Sequence, residues 1–308
     1  MRLTALPVLA AVAALLAGCG ADDAPPASAP AASSPAAPST TNPPTTDPAV
    51  AAALTALEDD YAARLGVYAI DTGTGQVVEH RPDERFAFAS THKMLSAAAV
   101  LQVTEPADLD ELIEVDPAEV VGWSPVTEPA AGVGLTLLEI IEAAITLSDN
   151  TAANLLFEQV GGPDGLEAAV RGFGDETTSF DRIEPGLSDW APGEERDTTT
   201  PRAMAGNLRD LLLGDLLTDE DRTLLHDTMR ANTTGDELIR AGVPDGWVVA
   251  DKTGSATHGG RNDVAVIEPP GAAPIVLAVY SNRLDPEAES DPALIAAATE
   301  IVVDAFSD

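Results

Sequence analysis

Lys93 and Lys252 are the only lysines among the 16 basic side chains of this 308-residue chain; every other one is arginine. An ammonium on a flexible stem can shed its proton when desolvated or crowded by another cation, whereas a guanidinium stays charged and is too broad for a tight site. The two lysines therefore mark places where a compact cation or an exchangeable proton is needed. Each stands beside hydroxyls, in Ser90-Thr91-His92-Lys93 and in Lys252-Thr253-Gly254. Ser90 and Lys93 are three apart at the start of an apolar helical stretch (Met94, Leu95, Ala98, Leu101), so both project from one face. A deprotonated amine there can take the serine proton, and the helix N-terminus favours the negative charge that develops. Ser-x-x-Lys alone is a common pattern. Its weight comes from Ser148-Asp149-Asn150, at the join of two helical stretches, and from Lys252-Thr253-Gly254, placed at the end of a strand.

In this order the three patterns resemble those of class A serine β-lactamases and penicillin-binding proteins. A fourth, Arg182-Ile183-Glu184-Pro185-Gly186-Leu187, is similar to the loop carrying the hydrolytic carboxylate of class A. On these motifs the chain resembles a class A serine β-lactamase across residues 49–308. The resemblance implies that Ser90 is the acylated nucleophile, activated by Lys93 directly or with Glu184 through water. Ser148 would pass a proton to the departing ring nitrogen, with Lys252 tuning it, and Asn150 would bind the substrate's side-chain amide. The backbone N–H groups of Ser90 and Ser255 would form the oxyanion hole. Lys252, Thr253, Ser255 and Arg261 would make a cationic, hydroxyl-rich pocket for the substrate carboxylate. Gly254, lacking a Cβ, would let the substrate lie close along its strand. Trp123 matches an aromatic wall of the cleft, the alternative being a half-buried core indole.

The resemblance also implies an ion pair between Arg182 and Asp197 closing the loop around Glu184, with Asn154 steadying it from beneath. Glu184–Pro185 would be cis, which an X–Pro bond permits at modest cost. Two departures stand out. Ser188 occupies a position where the family commonly has an asparagine that helps hold the deacylating water, and a serine reaches less far. Ala89 and Ala256 stand where some carbapenem-hydrolysing relatives have bridged cysteines.

The chain around these residues divides in three. Arg2, an apolar run to Leu16 and small residues before Cys19 read as an export signal over residues 1–18. Leu16-Ala17-Gly18-Cys19 resembles a lipoprotein cleavage box, with Cys19 as the lipidated first residue; an ordinary signal peptide with an incidental cysteine is the alternative. Cys19 is the only cysteine, so no internal disulfide can form. Residues 19–48, rich in Ala, Pro, Ser and Thr, read as a tether. Residues 49–308 are expected to form one domain.

Helical spacing covers residues 49–65 (Leu54, Leu57, Tyr61, Leu65), followed by a strand at 66–71, a turn at Gly73-Thr74-Gly75 and a strand at 76–79. Further strands are expected at 247–250, 263–267 and 275–281, and a last helix over 291–306. Helices at 136–147, 150–159 and 202–213 fill the middle. The expected fold is α+β, with an antiparallel sheet formed by both termini, flanked by helices, and a helical subdomain inserted.

The net charge of −35 argues against nucleic-acid binding, and against membrane contact other than through the lipid. The acidity is read as serving solubility or a salty habitat, so an anionic substrate needs a local cationic pocket. His80, His92, His226 and His258 have no ligand spacing, and neither a metal nor a cofactor is expected. The expected protein is a monomer, anchored outside the cytoplasm, that hydrolyses β-lactams. A D,D-peptidase or penicillin-binding protein shares Ser-x-x-Lys but has little use for Glu184. A non-catalytic surface lipoprotein has no use for the intact set of Ser90, Lys93, Ser148, Lys252 and Glu184.

Overall fold

The structure, a computed structural model, describes residues 46–307; the expected leader, Cys19 and most of the expected tether lie outside them. In chain order the strands are β1 (Arg64–Asp71), β2 (Val77–His80), β3 (Phe86–Ala87), β4 (Leu112–Ile113), β5 (Leu135–Thr136), β6 (Thr198–Thr199), β7 (Val248–Ala256), β8 (Gly260–Glu268) and β9 (Ile275–Asn282). The α-helices are α1 (Pro48–Tyr61), α2 (His92–Val103), α3 (Leu137–Thr146), α4 (Asn150–Gln159), α5 (Gly162–Gly172), α6 (Pro201–Leu212), α7 (Asp219–Arg230) and α8 (Pro292–Ser307). Five strands form an antiparallel sheet in the order β2-β1-β9-β8-β7, so the first and last long strands of the domain lie side by side. The chain between β3 and β7 is the helical insertion.

Alternation along the strands feeds two cores. Leu65, Val67 and Ala69 on β1, Ala265 and Ile267 on β8, and Leu277 and Val279 on β9 pack with α1 and α8. Val264, Val266, Val276, Ala278 and Tyr280 point the other way, into the larger helical core. With both faces covered, β9 is buried at all eight positions, and its sequence reads as a continuous apolar run from Ile275 to Tyr280.

The first helix is shorter than its apolar spacing predicts. It stops at Tyr61 because Ala62 turns left-handed (φ 47°), and Leu65 enters β1 with its N–H on Glu58 Oε1 at 2.8 Å. The strands expected at 247–250 and 263–267 run on to Ala256 and start back at Gly260. The extra pairing carries Asp251, Lys252, Thr253 and Asn262, whose polarity hides a buried strand from a pattern reading. Lys252-Thr253-Gly254 therefore lies inside β7 rather than at its end.

Helix α2 is not one-sided: every residue from His92 to Leu101 is buried, making it the central helix of the insertion. Around it, α3 starts in a capping box between Thr136 and Glu139, and α4 starts on Asp149, whose side chain accepts the Ala152 N–H. The Asp149 cap fixes the α4 end of the Ser148 turn, and at the α3 end the N–H groups of Leu147 and Asp149 both donate to Ala143 O, at 3.3 and 3.1 Å.

Candidate active site

Ser90 sits in a 3₁₀ turn (Ala89–Thr91) that leads into α2. The turn is held from below: Thr91 Oγ1 donates to Phe88 O at 2.6 Å, and Asn262 Nδ2 on β8 donates to Ala87 O at 2.8 Å. Strand β7 presses against it. A Cβ on Gly254 would stand 2.9 Å from Phe88 O and 3.2 and 3.3 Å from Thr91 Cγ2 and Ala89 Cβ. The missing side chain thus serves the fit of β7 against the nucleophile turn. Ala89, Trp123, Ser148 and Asp197 all have positive φ without being glycine, at 45°, 63°, 57° and 54°. Such backbone strain persists only where surrounding contacts impose it, and it gathers at this site.

One chain of polar contacts joins the sequence-predicted groups. Ser90 Oγ donates to Glu184 Oε1 at 3.2 Å, and Lys93 Nζ lies 3.1 Å from the same oxygen. Lys93 Nζ also donates to Ser148 O (2.8 Å), Asn150 Oδ1 (2.6 Å) and Ser148 Oγ (3.3 Å). Lys252 Nζ reaches Ser148 Oγ from the other side at 3.2 Å and donates to Thr253 O at 3.0 Å. Lys93, Glu184 and Lys252 are all buried. Burial alone would raise the Glu184 carboxyl, but Lys93, aided by His92, outweighs it and holds it down at about 2. Burial pushes the Lys93 ammonium below its ordinary range, against the pull of Glu184. Burial, then Lys93, lowers Lys252 to about 7, with Asp251 and Asp263 opposing.

The loop bearing Glu184 is fastened at its neck and beneath. Arg182 Nε meets Asp197 Oδ2 at 2.5 Å, and the Asp197 carboxylate also accepts the N–H groups of Asp181 and Arg182. Asn154 on α4 grips the Glu184 backbone at both ends, Nδ2 to its carbonyl (3.0 Å) and Oδ1 from its N–H (2.9 Å). The Glu184–Pro185 bond is cis. Ser188 gives its carbonyl to Thr257 N at 3.1 Å, tying the loop to the end of the sheet.

Arg182→Ala is expected to loosen residues 182–197 before it unfolds the domain. Two backbone N–H groups would still serve Asp197, so the loss is about 2 kcal/mol, below the roughly 3–5 of a pair broken in a dry interior. Amide exchange should speed up selectively in this loop. Unchanged exchange there would remove the pair from its structural role.

At the mouth, Trp123 is 68% exposed, with Nε1 donating to Leu147 O at 3.1 Å. It is therefore a cleft-edge indole and not a core residue. Asn150 Nδ2 donates to Gly122 O at 2.9 Å, orienting the amide whose oxygen takes Lys93. Opposite, Arg261 Nη1 donates to Ser255 Oγ at 2.6 Å, and Thr253 Oγ1 bonds Thr234 Oγ1 at 2.6 Å. Lys252, Thr253, Ser255 and Arg261 thus form one cationic rim in an otherwise acidic protein.

Residues 49–306 match the Beta-lactamase enzyme family over nearly the whole described domain. The chain belongs to that family. It is 53% identical over 258 residues to the β-lactamase of Amycolatopsis lactamdurans, covering 84% of this chain and 85% of the relative. It is 51% identical over 299 residues to β-lactamase FAR-1 of Nocardia farcinica, covering 96% and 94%. The class A β-lactamase of Clostridium kluyveri superposes with a TM-score of 0.84 at 43% identity, covering 85% of this chain and all of that one. A halotolerant bacterial β-lactamase superposes at 0.82 with 48% identity, covering 83% and 98%.

Several residues of this β-lactamase site carry weight that the motif reading missed. Asp149 accepts from Val126 N, Thr127 N and Thr127 Oγ1, pinning the Trp123 segment to α4. Asp251, behind Lys252, is held by Asn232 Nδ2 at 2.5 Å and Arg240 Nε at 2.7 Å. His92, set aside for want of ligand spacing, lies beside Glu184. Its position between Ser90 and Lys93 was the available signal.

Proposed function

We propose that this β-lactamase opens the lactam ring of penicillin- and cephalosporin-type antibiotics through an acyl-enzyme on Ser90, and so confers resistance to them. The observation that carries the assignment is Glu184 Oε1, shared by the Ser90 hydroxyl at 3.2 Å and the Lys93 ammonium at 3.1 Å. A carboxylate in contact with the nucleophile suits both halves of a hydrolysis. A peptidase that only needs to acylate gains little from it.

Ser90 passes its proton to Glu184 as Oγ attacks the lactam carbonyl. The hydrogens of Lys93 are directed at Ser148 O, Asn150 Oδ1 and Glu184, which suits an ammonium in the resting site and leaves the carboxylate as acceptor. The developing oxyanion is assigned to the N–H groups of Ser90 and Ser255. As the C–N bond breaks, the Ser148 hydroxyl gives its proton to the ring nitrogen. Lys93 and Lys252, on either side at 3.3 and 3.2 Å, favour the alkoxide character this requires and replace the proton. As Lys93 resupplies Ser148 it takes back from Glu184, 3.1 Å away, the proton that came from Ser90, so the carboxylate is ionised again. It then accepts a proton from the water that attacks the ester and passes it to Ser90 Oγ as that oxygen leaves. Lys252, Thr253, Ser255 and Arg261 receive the substrate carboxylate, Asn150 its side-chain amide, and Trp123 walls the cleft. Every one of these groups comes from a single chain, so the proposed site is complete without a partner.

Steady-state hydrolysis of a chromogenic cephalosporin by the purified protein, with intact mass recorded after mixing, tests the whole scheme. Turnover is expected. A stable adduct without turnover would favour a penicillin-binding protein.

The leader pattern supports a lipid-anchored enzyme on the outer side of the cytoplasmic membrane, tethered by residues 19–48. Cys19→Ala is expected to move the enzyme from the membrane fraction to the soluble one with kcat unchanged, because the acyl chains and not the domain hold it to the bilayer. A parent protein that is already soluble and carries no lipid on its mature terminus would overturn this.

A further inference from the structure

We propose that His92 is a positioning residue for the general base: Ser96 fixes its ring as the Nε2–H tautomer, and that N–H faces the Glu184 carboxylate and holds it for catalysis. The reading rests on Glu184 as the base of the proposed hydrolysis.

His92 is the first residue of α2, fully buried between Ser90 and Lys93 in sequence. Its ring lies among Phe88, Phe157 and Phe180, with centroids 5.5, 5.1 and 6.4 Å away. In that apolar surround its two nitrogens have different neighbours. Nδ1 is 3.0 Å from Ser96 Oγ, one helical turn on. Nε2 makes no hydrogen bond and is 3.6 Å from Glu184 Oε1, the oxygen that Ser90 and Lys93 also use. The latter distance is too long for a hydrogen bond, and too short to admit a bridging water. It is a direct contact between a ring dipole and a charge in a buried site, where such contacts are strengthened by the low dielectric.

The tautomer decides whether that contact attracts or repels. If Nδ1 carried the hydrogen, the bare Nε2 lone pair would face a carboxylate. If the Ser96 hydroxyl donates to Nδ1, the hydrogen sits on Nε2 and the contact becomes favourable. Ser96 has one competing acceptor, the His92 carbonyl, at the longer 3.3 Å. Burial first, then the neighbouring lysines, holds His92 below its ordinary range despite Glu184, so the ring is neutral and the tautomer is a real choice.

Glu184 is faced by His92 and Lys93 from α2 and by Lys252 from β7, while Asp149 before α4 acts on Lys93. Lys93 is the stronger influence on the charge of Glu184, but its hydrogens are divided among three partners. A fixed neutral donor on the same oxygen adds two things: it favours the ionised carboxylate, and it limits rotation of the carboxyl group away from Ser90.

The test is ring ¹⁵N spectroscopy of the full protein together with kinetics of three variants. The wild-type His92 ring should show hydrogen on Nε2 and none on Nδ1, and should stay neutral across the activity range. His92→Phe keeps an aromatic ring in the cluster but removes the donor. Because a donor to a carboxylate lowers its pKa, losing it should move the acid limb of kcat/KM up by about half a pH unit or more. The deacylation rate constant should fall about threefold to tenfold with KM little changed. His92→Gln, with an N–H able to reach the Nε2 position, should recover most of both effects. Ser96→Ala should shift the acid limb in the same direction by less.

An Nδ1–H ring in the wild type overturns the proposal. So does a His92→Phe enzyme that loses thermal stability while its acid limb and deacylation stay at parental values. The ring spectrum does not depend on what Glu184 does. Failure of the Glu184 assignment would instead appear as normal deacylation in a Glu184 variant.

Discussion

Glu184→Ala is expected to convert the enzyme into one that is acylated but does not let go: the acyl-enzyme mass should persist after mixing with a penicillin, and deacylation should fall by about 10²–10⁴-fold. The asymmetry between the two half-reactions comes from Lys93. In the parent, Glu184 sustains the ammonium form of a lysine that burial pushes the other way. Without the carboxylate, desolvation acts unopposed by its largest counter-charge, and the free amine can take the Ser90 proton. Nothing comparable rescues the second half, because the attacking water needs a base held at the loop position that Asn154 and the Arg182–Asp197 pair create. Quantitative mass measurement against time, with the burst amplitude read in parallel, separates the steps. A variant that neither accumulates adduct nor turns over more slowly would show that Glu184 is not the base.

Lys93→Arg should be nearly as damaging despite keeping the charge, with kcat/KM lower by about 10²–10⁴-fold. A guanidinium does not give up its proton at any working pH, so it cannot resupply Ser148. It is also the wrong shape. Lys93 Nζ places a single nitrogen within 2.6–3.3 Å of oxygens on Ser148, Asn150 and Glu184, in a space with no solvent exposure. A planar fork there must displace at least one of the three partners, and overpacking a closed site costs about 1–3 kcal/mol. Acylation rates should carry most of the loss. Hydrolysis within tenfold of the parent would refute a proton-transfer role for Lys93.

Some of this was legible because local chemistry is written in contiguous residues. Ser90 with Lys93, Ser148 with Asn150, and the Arg182–Leu187 loop are short patterns whose spacing survives folding unchanged. Helices 150–159 and 202–213 were legible to within a residue, since their apolar spacing and their Asp149 and Thr200 caps coincide. The end of the first helix was not, because Leu65 keeps the helical spacing although Ala62 has already turned the chain. The length of β7 was hidden because its interior residues are polar, and only pairing with β8 on one side and contact with the nucleophile turn on the other shows them as a buried strand.

The sequence by itself supplied the candidate reacting groups, through the two lysines and through motifs that resemble those of class A enzymes, their order along the chain, and, through its net charge of −35, the need for a cationic pocket. Only the tertiary structure decided that Ser90 donates to Glu184 and not to Lys93, that Gly254 packs tightly against the nucleophile turn, that Trp123 stands in the open, and that His92 faces the base. Each of those depends on which atoms from distant segments converge within about 3–4 Å. At that range burial and charge fix both hydrogen-bond choice and protonation, and neither is a property of any segment alone.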